Sequence, residues 1–166
     1  TDPANAPIHN DSLSLTAAHG VVLQTTANPA IMQGYATAPD GGQIHYWEAG
    51  QGPTLLLLHQ AGSSSEENAG LVKYMSDKFH LVSFDWPGHG MSDDPTRELL
   101  TEDYTESAIA VLDHLKIDKA HVFGNHGGAL LAMDISWKHP ERVDRIILSG
   151  TSGVKDMDAV QEFSDN

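Results

Sequence analysis

From Thr54 onward, short apolar runs alternate with stretches of helical period. Thr54–Leu58, opened by Pro53, is a continuous apolar run of the kind buried on both faces of a parallel sheet. Leu81–Phe84, His121–Phe123 and Arg145–Ser149 are three more runs of strand length. Between the first two, Ser64-Ser65-Glu66-Glu67 reads as a capping box, and Leu71, Val72 and Met75 continue at helical spacing. Ala108, Val111, Leu112 and Leu115 fall at i, i+3, i+4 and i+7, which predicts a helix from about Thr101 to Leu115. Gly127–Lys138 is predicted as a helix stopped before Pro140. The order β-α-β-α-β-α-β makes the expected fold class α/β, with a mostly parallel sheet covered by helices on both faces.

Ahead of this alternation, Ile31–Thr37 and Gln43–Glu48 flank the turn signal Asp40-Gly41-Gly42. That pattern predicts a hairpin, which adds an antiparallel edge to the sheet. Residues 1–30 are rich in Ala, Thr, Asn and Pro without a sustained period. They read as an extended arm with one short strand around Gly20–Gln24, leaving 31–166 for the α/β unit. Asp156–Phe163 has the character of the start of another helix.

Composition narrows the class. With 166 residues, 40% of them hydrophobic and 19% charged, the chain is sized for one domain with its own core. Nine basic residues against 23 acidic ones give a net charge of −14, which argues against nucleic acid as a partner. The longest apolar run, Leu55–Leu58, is far short of the roughly 18–20 residues of a membrane helix. There is no Cys, so disulfides, thiol nucleophiles and zinc–thiolate sites are excluded. The first residue is Thr1 and not Met, which is compatible with a removed signal or pro-segment and so with a periplasmic or secreted protein.

In open parallel sheets, sites form at the carboxyl ends of the strands. Three loops fall there: Leu58-His59-Gln60-Ala61-Gly62-Ser63-Ser64-Ser65, Phe84–Asp93, and the glycine-rich turn Phe123-Gly124-Asn125-His126-Gly127-Gly128. The second contains an Asp-x-Pro-Gly-x-Gly-x-Ser stretch over Asp85–Ser92. The third is followed by Ala129 and later by His139-Pro140-Glu141-Arg142-Val143. In this order and spacing the chain resembles the first half of an α/β-hydrolase-fold protein, over about Gly34 to Gly153.

That resemblance implies a nucleophile elbow at Gly124–Gly128, where the usual Gly-x-Ser-x-Gly pattern raises a serine above the sheet. His126 stands in the serine position, and His59-Gln60 stands where His-Gly is usual. An imidazole there can serve as base, acid or nucleophile near neutral pH. The resemblance also implies an oxyanion hole from the backbone N–H groups of Ala61 and Gly127, with Gln60, Asn125 and His59 as substrate contacts. The expected activity is hydrolysis of an ester, amide or related carbonyl substrate, with His126 catalytic and no cofactor. The alternative is a non-catalytic member of the fold that binds a small molecule or a protein.

Other residues have plainer readings. His59 also suits loop support, Asp85 suits anchoring of the Pro87–Gly90 loop, and Ser63, Ser64 and Ser65 suit helix capping. His89 and His121 read as ordinary loop or surface residues. Asp93, Asp94, Glu98, Glu102 and Asp103 read as a solvated face. No His-x-x-x-His spacing suggests a metal. In the resembling family the triad runs serine, acid, histidine along the chain, the last two after later strands. The sequence stops soon after the strand ending at Ser149, before the cap and last strands. A complementary C-terminal chain or a second copy is therefore an expected partner, alongside a small-molecule substrate.

Overall fold

A computed structural model of the chain describes residues 30–151. The arm expected over residues 1–30 (all but its last residue), the strand at Gly20–Gln24 and the helix at Asp156–Phe163 lie outside the described residues. Six strands form one sheet: β1 (Met32–Thr37), β2 (Gln43–Gly50), β3 (Thr54–Leu58), β4 (His80–Phe84), β5 (Ala120–Asn125) and β6 (Val143–Ser149). Their order across the sheet is β1-β2-β4-β3-β5-β6. β3, β4, β5 and β6 run parallel, and β2 meets both β1 and β4 antiparallel. The expected α/β class, the parallel sheet and the antiparallel edge are all present.

The hairpin closes as the Asp-Gly-Gly signal predicts. Ala38 N–H donates to Gly42 O at 2.7 Å, and the Asp40 carboxylate accepts Gly42 N–H at 3.1 Å. The apolar run of β3 is continuous because its residues serve two cores. Leu56 and Leu58 face the layer of α2 (Thr101–His114) and α3 (Gly127–Lys138), whose Val111, Leu112, Leu131 and Ile135 pack there. Leu55 and Leu57 face the opposite layer with Trp47, Leu81 and Val72. Successive strand side chains point to opposite faces, so a strand covered twice has no polar side to show.

The first helical segment differs from its sequence pattern. Ser65–Leu71 is a 3-10 helix, followed by a single α turn, α1 (Val72–Met75). Ser64 precedes it in extended conformation but makes no side-chain cap, so the capping box does not form. Both of its ends are claimed from elsewhere. The Asp85 carboxylate accepts Ser65 N–H at 2.7 Å, and the Glu67 carboxylate accepts Gln60 N–H at 3.0 Å. The acidic face is also more than solvated. Asp93 accepts Gln43 N–H at 2.9 Å, joining the second loop to β2. Asp103 accepts Leu100 N–H at 2.8 Å at the start of α2 and pairs with Arg97. That pairing, with the Leu100 bond, holds the Asp103 carboxyl down at about 2.

Candidate active site

The topology brings the three loops together. β4, β3 and β5 are adjacent and parallel, so the loops after Leu58, Phe84 and Asn125 leave the same end of the sheet. The chain steps from β3 to β4 on one side and to β5 on the other, and a crevice opens where that direction reverses.

The turn from β5 into α3 is as tight as its glycines imply. A methyl on Gly124 would sit 2.1 Å from Gly128 O, and one on Gly128 would sit 2.5 Å from Leu58 O and 2.7 Å from His59 O. Real Cβ atoms do not approach backbone that closely, so only hydrogen fits at either position. Between them His126 has φ 49° and ψ −111°, a left-handed conformation costly for any residue with a side chain. The surroundings hold it there. His126 N–H donates to Ser149 O at 2.8 Å, and its own carbonyl accepts Ala129 N–H at 3.0 Å, starting α3. The side chain is exposed. Gly150 faces the ring, since a methyl there would lie 3.0 Å from both Cε1 and Nε2.

The loop after β3 reaches the same spot. A methyl on Gly127 would lie 3.0 Å from Ala61 N and 3.5 Å from the Trp86 ring. Ala61 and Gly127, the two expected amide donors, therefore adjoin beside His126. Gln60 is exposed next to Ala61, and Asn125 is half-buried at the end of β5, in register with Ser149.

His59 is elsewhere in the arrangement. It is fully buried, and both ring nitrogens are engaged. Its Nδ1–H donates to Gln60 O at 2.8 Å, and its Nε2 accepts Trp86 N–H at 3.1 Å. The ring stacks on Trp86 with centroids 4.6 Å apart. Burial pushes its pKa below the usual 6.5, the bond to Gln60 opposing. A neutral ring with no free nitrogen supports the floor of the site from beneath and has no atom left for a ligand.

Asp85 anchors the second loop. Only 2% exposed, it accepts Ser65 N–H at 2.7 Å, Met91 N–H at 2.9 Å and His45 Nδ1–H at 2.8 Å. Burial raises its pKa, but these hydrogen bonds outweigh burial and hold the carboxyl below the ordinary range. Two contributors escaped the sequence reading. Glu67 ties down Gln60 N–H, although its spacing suggested local capping. His89 lies half-buried against His59 and Trp86, with ring centroids 5.5 and 5.7 Å apart. The only signal for His89 is its place inside the Asp-x-Pro-Gly-x-Gly-x-Ser stretch. Among the described residues no group of three or more His, Asp or Glu is placed to hold a metal, and no helix is long and apolar enough to cross a membrane.

A strained elbow at the end of a central parallel strand, with a second loop's amide beside it, defines the α/β-hydrolase class. Residues 53–166 match the alpha/beta hydrolase fold family, and the chain belongs to it. It is 31% identical over 107 residues to the (E)-2-((N-methylformamido)methylene)succinate hydrolase of Acinetobacter baylyi, covering 64% of this chain and 41% of that protein. It is 30% identical over 119 residues to the 2-hydroxy-6-oxo-6-phenylhexa-2,4-dienoate hydrolase of Comamonas testosteroni, covering 67% and 41%. Among solved structures, a meta-cleavage product hydrolase of Pseudomonas fluorescens superposes with TM-score 0.64 at 29% identity, covering 68% of this chain and 43% of that one. The epoxide hydrolase CorEH superposes with TM-score 0.68 at 25% identity, covering 72% and 42%. The chain thus spans about two fifths of the length of these relatives.

Proposed function

We propose that this chain carries the nucleophile and oxyanion-binding half of a hydrolase acting on an ester, amide or related carbonyl substrate, with His126 as nucleophile. The observation that carries this reading is His126 itself, exposed on a left-handed elbow beside Ala61 N. Strain of this kind persists where the fold over-determines it, and such positions cluster at active sites. The hydrolase names of the relatives support the reaction class.

In this mechanism an unprotonated ring nitrogen of His126 attacks the substrate carbonyl carbon, and the carbonyl oxygen takes the electron pair. Backbone N–H groups of Ala61 and Gly127 donate to that oxygen, in the place where its charge develops. Collapse of the adduct breaks the carbonyl carbon's bond to the leaving oxygen or nitrogen, which takes a proton from water as it departs as alcohol or amine, leaving a hydroxide that the proton released in the next step neutralises. The acyl-imidazolium then reacts with water, releasing the acid and a proton and restoring the ring. Gln60 and Asn125 border the substrate.

The test is turnover of an activated ester such as p-nitrophenyl acetate by the intact protein. His126→Ala should lower the rate at least about tenfold, within the range seen when an acid–base or nucleophilic group is lost. His126→Ser, which puts the family's usual residue at the elbow, should gain labelling by a fluorophosphonate at residue 126. An unchanged rate in His126→Ala refutes the catalytic role and favours a binding protein of the same fold.

A partner is part of the proposal. β6 is the outermost described strand on its side, and its Ile146, Ile147 and Leu148 are 40%, 51% and 38% exposed. Such an edge pairs readily with another strand. A complementary C-terminal polypeptide or a second copy would cover it. Masses measured under native and denaturing conditions decide the point, and a cooperative monomer of 17.9 kDa would overturn it.

A further inference from the structure

We infer that His89 is a positioning residue for the oxyanion loop, holding the Ala61–Gly62 peptide in one of its two turn orientations; this rests on the hydrolytic reading of the site. Gln60–Ser63 is a turn closed by Ser63 N–H donating to Gln60 O at 3.2 Å. Gly62 has φ +76° while Ala61 does not enter positive φ, which makes the turn type II. Types I and II differ by turning over the central peptide, here Ala61–Gly62, through a rotation of about 150° at the first central ψ. The closing hydrogen bond is the same in both, and glycine at the second central position favours type II while still admitting type I, so a contact from outside the turn adds to that bias.

His89 supplies that contact. Its Nε2 accepts Gly62 N–H at 3.4 Å, which is the N–H of the peptide that turns over. Its Nδ1–H donates to Pro87 O at 3.2 Å, so the neutral ring has its lone pair on Nε2, facing the loop. Contacts with His59 and Trp86 fix the ring plane. Ala61, whose N lies next to Gly127, precedes that peptide directly. The turn-over leaves φ of Ala61 unchanged, so the Gly62 bond serves the Ala61 amide by pinning the next peptide of an exposed loop, and a preorganised donor is what stabilises an oxyanion.

The experiment compares the intact protein with His89→Phe, which keeps a ring and removes the acceptor, and His89→Gln, which keeps an acceptor. The Gly62 amide proton should exchange with solvent faster in His89→Phe than in wild type, because its acceptor is gone, and His89→Gln should slow it again. Turnover of p-nitrophenyl acetate should fall about tenfold in kcat for His89→Phe, less than direct removal of an oxyanion donor costs, with KM within twofold. His89→Gln should recover part of the loss. A Gly62 amide that exchanges at the same rate in wild type and His89→Phe overturns the assignment, as does a loss confined to KM. If no variant, nor the wild type, turns over ester, the hydrolytic reading fails, and the Gly62 exchange rate still decides what His89 does.

Discussion

The Asp85 carboxylate accepts the Ser65 backbone N–H at 2.7 Å, so the residue that follows β4 caps the helical segment that follows β3. Two loops 20 residues apart are joined through one buried charge. The same carboxylate takes Met91 N–H and His45 Nδ1–H, which bends its own loop back and ties it to β2.

Asp85→Ala leaves all three donors without an acceptor, those of Ser65 and His45 buried. Orphaned buried groups cost about 1–3 kcal/mol each, not fully additively, so a loss of about 3–5 kcal/mol is expected from urea unfolding. The pH dependence has a definite sign. Asp85 is held below its ordinary pKa of 3.8 by its hydrogen bonds, despite burial, so it contributes stability above that value. That contribution is lost as pH falls through the lower, folded-state pKa. Asp85→Asn should therefore be less stable than wild type at pH 7, with the gap closing on the acid side. A gap that stays constant down to acid unfolding would contradict this.

His59 predicts the opposite behaviour at a higher pH. Burial lowers its pKa below 6.5, so the unfolded chain binds its proton first as pH falls. Stability contributed by the neutral ring is complete above about 6.5 and declines below it, until the folded-state pKa is passed. Unfolding free energies at pH 7.5 and 5.5 should differ, and His59→Phe should remove most of that difference. The same variant should cost about 2–4 kcal/mol at pH 7.5, because Trp86 N–H loses its acceptor in a fully packed site.

His126→Gly separates strain from function. The side chain is exposed and the backbone sits at φ 49°, where glycine is at ease. Relief of strain should stabilise the protein by about 1 kcal/mol, offset in part by the greater freedom of the unfolded chain. Ester turnover should fall as it does in His126→Ala. A thermal midpoint below that of wild type would show that the elbow is not under strain.

The sequence by itself determined the kinds of element and their order, because local rules govern them. Twofold burial made Thr54–Leu58 an unbroken apolar run, Pro140 closed α3, and Asp-Gly-Gly closed the hairpin. The elbow was legible for a similar reason. Gly124 and Gly128 answer a local steric demand, since each must pass within 3 Å of backbone, and such demands leave glycines at fixed spacing. Tertiary structure alone decided which partner satisfied each polar group. Ser64 and Glu67 have the spacing of a capping box, yet Asp85 took Ser65 N–H and Glu67 took Gln60 N–H. His59 and His89 look alike in the sequence, but one is spent on Gln60 O and Trp86 N–H while the other keeps a lone pair for Gly62. Hydrogen bonds act over 3 Å in space, whatever the separation along the chain. Only the sheet order β4-β3-β5 brings those three loops within that distance.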